Sequence, residues 1–122
     1  MARILLAEDD KSMLNFLVIA LGRAGHDVVS RTNGSEALSV LKEDATFDLL
    51  LTDIVIPGID GIELAQKATD LNPEMKIMFI TGFAAMIMER HKDMKEQEQP
   101  QVLSKPFHLN DLVQQVEDVL AS

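Results

Sequence analysis

The chain contains no cysteine and only three histidines. Disulfides and thiolate metal sites are therefore excluded, and a metal bound here has to be held by oxygen. The absence of cysteine also fits a cytoplasmic protein. There is no run of about 18 apolar residues, so no membrane span is expected. The N-terminus, "MARILLAEDD", offers four consecutive apolar residues before acids arrive, which is not a secretory signal. Basic residues are scarce as well: 11 Lys and Arg against 20 Asp and Glu give a net charge of −9. That balance argues against direct nucleic-acid binding, which needs a basic face to displace counterions. It allows a bound cation and a basic protein partner. No internal repeat or low-complexity tract is visible.

What is present is a chain of 122 residues, 47% of them hydrophobic, enough for one domain around one core. Segment types alternate along it. Residues 3–7 ("RILLA"), 27–31 ("DVVSR"), 48–52, 76–81 ("KIMFIT") and 101–104 ("QVLS") read as strands. Residues 11–24, 33–43, 62–71, 84–95 and 109–120 carry apolar residues at helical spacing, and Gly25 stops the first of them. Five strands alternating with five helices, the strands apolar throughout, predict an α/β fold: a doubly wound five-stranded parallel sheet of the flavodoxin-like (βα)5 type. In such sheets ligands bind at the carboxyl ends of the strands, beside the point where strand order reverses.

Those ends carry chemistry. Glu8, Asp9 and Asp10 follow the first strand, Asp53 the third, Thr81 the fourth and Lys105 the fifth. The segment "LLLTDIVIPGIDG" (residues 49–61) is the most pointed of these, because it ends a buried apolar run on a carboxylate. Carboxylates gathered at about 4 Å cost on the order of 4 kcal/mol per pair at an effective dielectric near 20. A divalent cation removes that cost, and all-oxygen ligands point to Mg2+ or Mn2+. A carboxylate nucleophile, a metal, a lysine and a hydroxyl are the parts required for phosphoryl transfer onto an aspartate. Each piece has a plainer reading. "EDD" before a helix can be an N-cap, Asp53 before Pro57-Gly58 a turn former, and "KPF" a loop exit. Four strand ends carrying complementary groups together are poorly explained that way.

With these motifs in view, "LLAEDD", "LLLTDIVIPGIDG", "FITGF" and "VLSKPF", the chain resembles the response-regulator receiver domains of two-component signalling, similar to the CheY-like chemotaxis receiver over essentially its whole length. The resemblance implies Asp53 as phosphoryl acceptor and a Mg2+ site. Asp9 and Asp53 would bind the ion directly, Glu8 would act through water, and the Val55 carbonyl would be a further ligand. Asp10 falls at a position the family does not fix. Thr81 and Lys105 would contact the phosphoryl oxygens, and the Lys105-Pro106 bond would be cis. A histidine kinase or histidine phosphotransfer protein would be the donor. Phosphorylation would draw Thr81 inward and reshape the surface from the helix at 84–95 to the last strand. The aromatic that often swings inward in the family is replaced here by Val102. Thr81, Phe83, Val102 and Phe107 are thus the switch candidates, Phe83 and Phe107 being the available aromatics. With Val55 and Phe83 both apolar, neither orients an attacking water, so slow self-dephosphorylation is expected.

The helix at 109–120 ends the sequence, so a single receiver domain over 1–122 with no output domain is expected. It would be a phosphoprotein rather than an enzyme, either a monomer or a phosphorylation-dependent dimer. Its motifs most resemble stand-alone regulators of the CpdR type, which implies a downstream protein target: adaptor action for a ClpXP protease in the unphosphorylated state. Alternatives are a phosphorelay intermediate between two histidine proteins and a receiver-like module that is never phosphorylated. An aspartyl-phosphate hydrolase is disfavoured, because the second acid it places two residues after the nucleophile is Val55 here. The methionines 86, 88 and 94, near the helix at 84–95, suit an adaptable binding surface. Residues 91–100 read as a polar loop, and His91 and His108 as surface histidines.

Overall fold

The computed structural model describes residues 1–82 and 101–122. The strands are β1 (Arg3–Ala7), β2 (Asp27–Arg31), β3 (Leu49–Asp53), β4 (Lys76–Thr81) and β5 (Gln101–Ser104). The helices are α1 (Lys11–Arg23), α2 (Gly34–Glu43), α3 (Gly61–Leu71) and α4 (Leu109–Ala121). The strands form one sheet in the order β2-β1-β3-β4-β5, parallel at every pairing. This is the doubly wound flavodoxin-like arrangement expected. The helix expected over 84–95, with Phe83, His91 and the methionines 86, 88 and 94, lies outside the described residues.

The strand alternation sorts the core into two layers. Ile4, Leu6, Leu49, Leu51, Met78 and Ile80 point to one face and are capped by Leu14, Leu17 and Leu21 of α1 and by Leu112, Val116 and Val119 of α4. Leu5, Ala7, Leu50 and Phe79 point to the other and meet Ala37 and Leu41 of α2 and Leu64, Ala65 and Ala68 of α3. Both faces of β3 are covered, so all five of its residues are buried. That requirement explains the unbroken leucines at 49–51. A parallel strand in the middle of such a sheet has no wet side on which a polar residue could alternate.

Helix starts follow capping chemistry. Asp10 accepts the Ser12 and Met13 N–H groups at 3.0 and 3.2 Å, Asn33 that of Glu36 at 2.8 Å, and Asp60 that of Glu63 at 2.8 Å. The boundaries therefore move slightly from the sequence reading: Ala24 and Asn33 are caps rather than helical residues. More consequentially, β3 runs to Asp53 rather than stopping at Thr52, because Asp53 still pairs with Ile80 across the ladder. Asp48 falls outside β3 and instead accepts the Arg3 N–H at 2.8 Å.

At the amino end of the sheet His26 is a tie that periodicity could not suggest. Its ring is 4% exposed. Nδ1 accepts the Ala2 N–H at 3.1 Å, so the ring proton sits on Nε2, which lies 2.6 Å from Glu117 Oε1. The start of β1, the turn into β2 and α4 are joined through this one ring.

Leu51 is central in the α1/α4 layer and fully buried. Truncation to alanine is expected to cost about 2–5 kcal/mol of unfolding free energy. Urea denaturation of Leu51→Ala against wild type measures it; a loss below about 1 kcal/mol would contradict the packing described.

Candidate functional site

Strand order reverses between β1 and β3, so the chain leaves those two strands in opposite directions and opens a crevice at their carboxyl ends. The register pairs Ala7 with Thr52, which brings Glu8 and Asp9 level with Asp53. From the other side the Lys105 N–H donates to the Thr81 carbonyl at 3.0 Å, which extends β5 past its last paired residue and delivers the lysine to the same crevice. The Lys105-Pro106 peptide is cis.

The side chains converge closely. Lys105 Nζ donates to Asp53 Oδ2 at 2.7 Å and to Glu8 Oε1 at 3.1 Å. The second oxygen of Glu8, Oε2, accepts the Asp10 N–H at 3.2 Å. One carboxylate oxygen each from Glu8, Asp9 and Asp53 lie within 4.8 Å of one another. Glu8 is 1% exposed and Asp53 8%, whereas Asp9 faces solvent. Among the described residues two of the three carboxylates, Glu8 and Asp53, share the Lys105 ammonium, and Asp9 lies beside them. All donors are hard oxygens, and one wall is open to water, so the set fits a small divalent cation such as Mg2+ that keeps part of its hydration shell.

The electrostatics follow from burial. Glu8 is pushed above the usual carboxylate range, mainly because its charged form is desolvated. The Asp10 N–H and Lys105 pull it back, and the Asp53 charge adds to the upward push. For Lys105 desolvation acts downward, but the hydrogen bonds to Asp53 and Glu8 and their charges outweigh it, and its pKa is raised. The ammonium is therefore firmly charged at neutral pH.

The backbone beneath Asp53 is equally constrained. The Thr52 hydroxyl donates to the Asp53 carbonyl at 2.7 Å. Gly61 lies so close to that carbonyl that a Cβ there would fall on its oxygen, and the Gly61 N–H closes the loop onto the Ile54 carbonyl at 2.8 Å. Within the loop Ile54 and Ile56 are buried and Val55 is 63% exposed, an apolar side chain turned to water beside the crevice.

The structure brings Glu8, Asp9, Asp53 and Lys105 together at one strand-end crevice. Asp53 is the last residue of its strand rather than the residue that follows, and Thr81 ends β4 as the strand expected over 76–81 has it, so both are anchored by the sheet. Thr81 is 1% exposed. The acidic run divides its labour: Asp10 is indeed an N-cap, while Glu8 and Asp9 are not. Among the described residues the switch candidates Val102 and Phe107 do not share a cluster. Val102 pairs with Phe79 and packs in the α2/α3 layer, Phe107 packs in the α1/α4 layer, and Phe83 lies outside the described residues. His108 is exposed and makes no side-chain capping bond, as a surface histidine should. Sequence reasoning missed the Asp10 amide as the partner that fixes Glu8. An Asx cap directly after an acid is the only signal that could have suggested it.

Replacing Glu8 by glutamine leaves Lys105 paired with Asp53 and removes one of the crowded charges. Without metal, the variant is expected to gain stability relative to wild type as the pH rises, although its amide nitrogen cannot accept from Lys105 or the Asp10 N–H as the Glu8 oxygens do. The sign follows from the raised Glu8 pKa. Between its unfolded and folded values the folded chain holds the extra proton, so wild type loses stability as the pH rises through that window, and Glu8→Gln does not. Denaturation midpoints from pH 4 to 8 without divalent metal check this: the difference between variant and wild type should move in the variant's favour as the pH rises, and a difference independent of pH would refute it.

Comparison with known proteins agrees with the geometry. Residues 4–117 match the family model described as the response regulator receiver domain. The chain is 54% identical to the response regulator receiver protein CpdR of Brucella abortus (strain 2308), over 98% of each. It is 33% identical to the DNA-binding transcriptional regulator NtrC of Azospirillum brasilense over 99% of this chain but 24% of that one. Among solved structures it superposes on the non-phosphorylated HemR receiver domain from Leptospira biflexa with a TM-score of 0.86 and 28% identity, covering 100% of this chain and 96% of that one. Fold, sequence and strand-end site agree, and the chain belongs to the response-regulator receiver domain family of two-component systems.

Proposed function

We propose that the protein is a phosphorylation-controlled switch in which Asp53 takes a phosphoryl group from the phosphohistidine of a histidine kinase or histidine phosphotransfer protein. The observation that carries this reading is the Asp53 carboxylate, nearly buried at a strand end and held 2.7 Å from the Lys105 ammonium beside two further acids. A structural aspartate needs only the first partner.

The residues divide the work as follows. An Asp53 oxygen attacks phosphorus in line with the phosphohistidine nitrogen. The new P–O bond forms as the P–N bond breaks, and the electron pair leaves with the imidazole. Mg2+ held by Asp9, Asp53, the Val55 carbonyl and, through water, Glu8 would supply positive charge against the crowded carboxylates and the arriving phosphoryl oxygens. Lys105 neutralises charge on the far side and passes from Asp53 Oδ2 to a phosphoryl oxygen. The Thr81 hydroxyl donates to another, and because Thr81 ends β4, its movement is passed to the segment that follows. The only bond the protein remakes is on itself, so it acts as a phospho-acceptor and not as an enzyme on other substrates.

Downstream, the near-full-length similarity to the receiver protein CpdR supports a binding role. The reading is a cytoplasmic adaptor that engages a ClpXP-type protease when unphosphorylated and is withdrawn by phosphorylation. The net charge of −9 suits a basic docking face on the partner.

Intact mass after incubation with acetyl phosphate tests the chemistry. One phosphoryl group should appear only with Mg2+, and never in Asp53→Ala. Lys105→Ala should slow its appearance about a hundredfold. An adduct that persists in Asp53→Ala would sink the assignment. Because Val55 is exposed and apolar beside the site, the phosphorylated protein should lose its group over minutes or longer. Decay within seconds would show that another residue orients water.

A further inference from the structure

The loop that follows Asp53 does not hold its shape alone. It docks onto the first turn of α2, an element with no side chain in the crevice. The Pro57 carbonyl accepts the Gly34 N–H at 2.9 Å. Gly34 is the first residue of α2, so this is one of the donors that a helix start leaves unsatisfied. Asn33 satisfies the Glu36 N–H at 2.8 Å, so the cap of α2 is shared between its own side chain and the loop. The contact is also tight. A Cβ on Gly34 would fall on the Ile59 carbonyl oxygen. Gly58, at φ +83°, presents its bare Cα to Ser35, where a Cβ would lie 2.5 Å from the Ser35 hydroxyl oxygen. Ile54 and Ile56 are buried in the same layer as Ala37 of α2, with Ile59 packed against it. At the other end the Gly61 contact holds the loop against Asp53 itself. Residues 54–60 are therefore clamped at both ends, and one jaw of the clamp is the amino terminus of α2.

We propose that Gly34 and Ser35 are positioning residues for the Asp53 site, setting the placement of the 54–60 loop and through it the grip of the crevice on a divalent cation. The inference rests on the phosphoacceptor reading above and adds to it a pair of residues outside the crevice. Both enter through shape. Gly34 must lack a side chain so that the loop carbonyls can approach the helix start, and Ser35 must stay small so that Gly58 can pass. Adding carbon at either position moves the loop away from α2, while Glu8, Asp9 and Lys105, which come from other elements, stay where they are. The consequence is specific: weaker metal binding with the charges of the pocket unchanged.

The test uses Gly34→Ala and, as a milder insertion at an exposed position that should fold without difficulty, Ser35→Val. Ser39→Val, one turn along α2 and also exposed, is the control: it gives up the bond from its hydroxyl to the Ser35 carbonyl, at 3.1 Å, but adds no carbon toward the loop. Three quantities are read on the whole chain: Mg2+ affinity from titrated amide shifts, the rate of phosphorylation by acetyl phosphate at saturating Mg2+, and amide exchange at position 34 and at Gly61 without metal. Expected are a loss of Mg2+ affinity of about tenfold or more in both test variants, a smaller loss of rate once Mg2+ is saturating, and faster exchange at position 34. Ser39→Val should match wild type in all three. Wild-type Mg2+ affinity in a folded Ser35→Val protein would overturn the proposal. So would an equal loss in Ser39→Val, which would mark a general effect of loosening α2. If wild type itself bound no Mg2+ and formed no adduct, the phosphoacceptor reading would fall and this proposal with it. That outcome is told apart because it appears before any variant is made.

Discussion

One ammonium among three carboxylates is the constraint around which the molecule is arranged. Lys105 is the single cation that contacts the buried pair Glu8 and Asp53, at 3.1 and 2.7 Å, among the described residues. The carboxylate oxygens, within 4.8 Å of one another, repel by an amount on the order of a few kcal/mol where water is partly excluded. The sheet must therefore be stiff enough to hold those charges together. It is: β1 and β3, which deliver the acids, are adjacent central strands with helices on both sides. A less buried scaffold would let the acids splay apart. The cost of crowding is what leaves the pocket receptive to added positive charge.

The same rigidity separates what can move from what cannot. Asp53 and Thr81 are both held in the ladder, the first beside Ile80 and the second beside Ser104. In the proposed switch, movement would then begin at side-chain torsions rather than in the strands themselves. Val102 has no ring to swing, and Phe107 packs on the opposite face of the sheet. A relay through stacked aromatics is not built into this part of the chain. The loop beyond Asp53, clamped on α2, is the better-connected neighbour.

Much of this was legible in the sequence, and the reasons are physical. The leucines at 49–51 announce a strand covered on both faces, and a parallel sheet with a strand-end crevice follows. Glu8, Asp9, Asp53 and Lys105 were readable because carboxylates and a lysine next to apolar strands have few other reasons to be there. What was hidden depends on three-dimensional approach. Whether a strand ends at Thr52 or Asp53 is settled by the pairing of Asp53 with Ile80, which no local pattern encodes. Gly34 reads as an ordinary helix-start glycine until the Ile59 carbonyl is seen against it. His26 reads as a turn residue until Ala2 and Glu117 appear on its two nitrogens. Asp10 could have been assigned to the site or to the cap, and only its hydrogen bonds decide.

The pairing of Lys105 with Glu8 spans 97 positions of sequence. During synthesis β1, β3 and their acids emerge well before the lysine that balances them. Loop closure over that distance is among the last contacts a chain can make. A nascent chain therefore carries Asp53 without its ammonium, in a sheet still lacking its β5 edge. Asp53 gains its balancing charge only once the carboxy-terminal segment has joined the sheet. On the proposed reading the site is completed last: a chain lacking its carboxy-terminal segment carries the aspartate without the ammonium that would speed its phosphorylation.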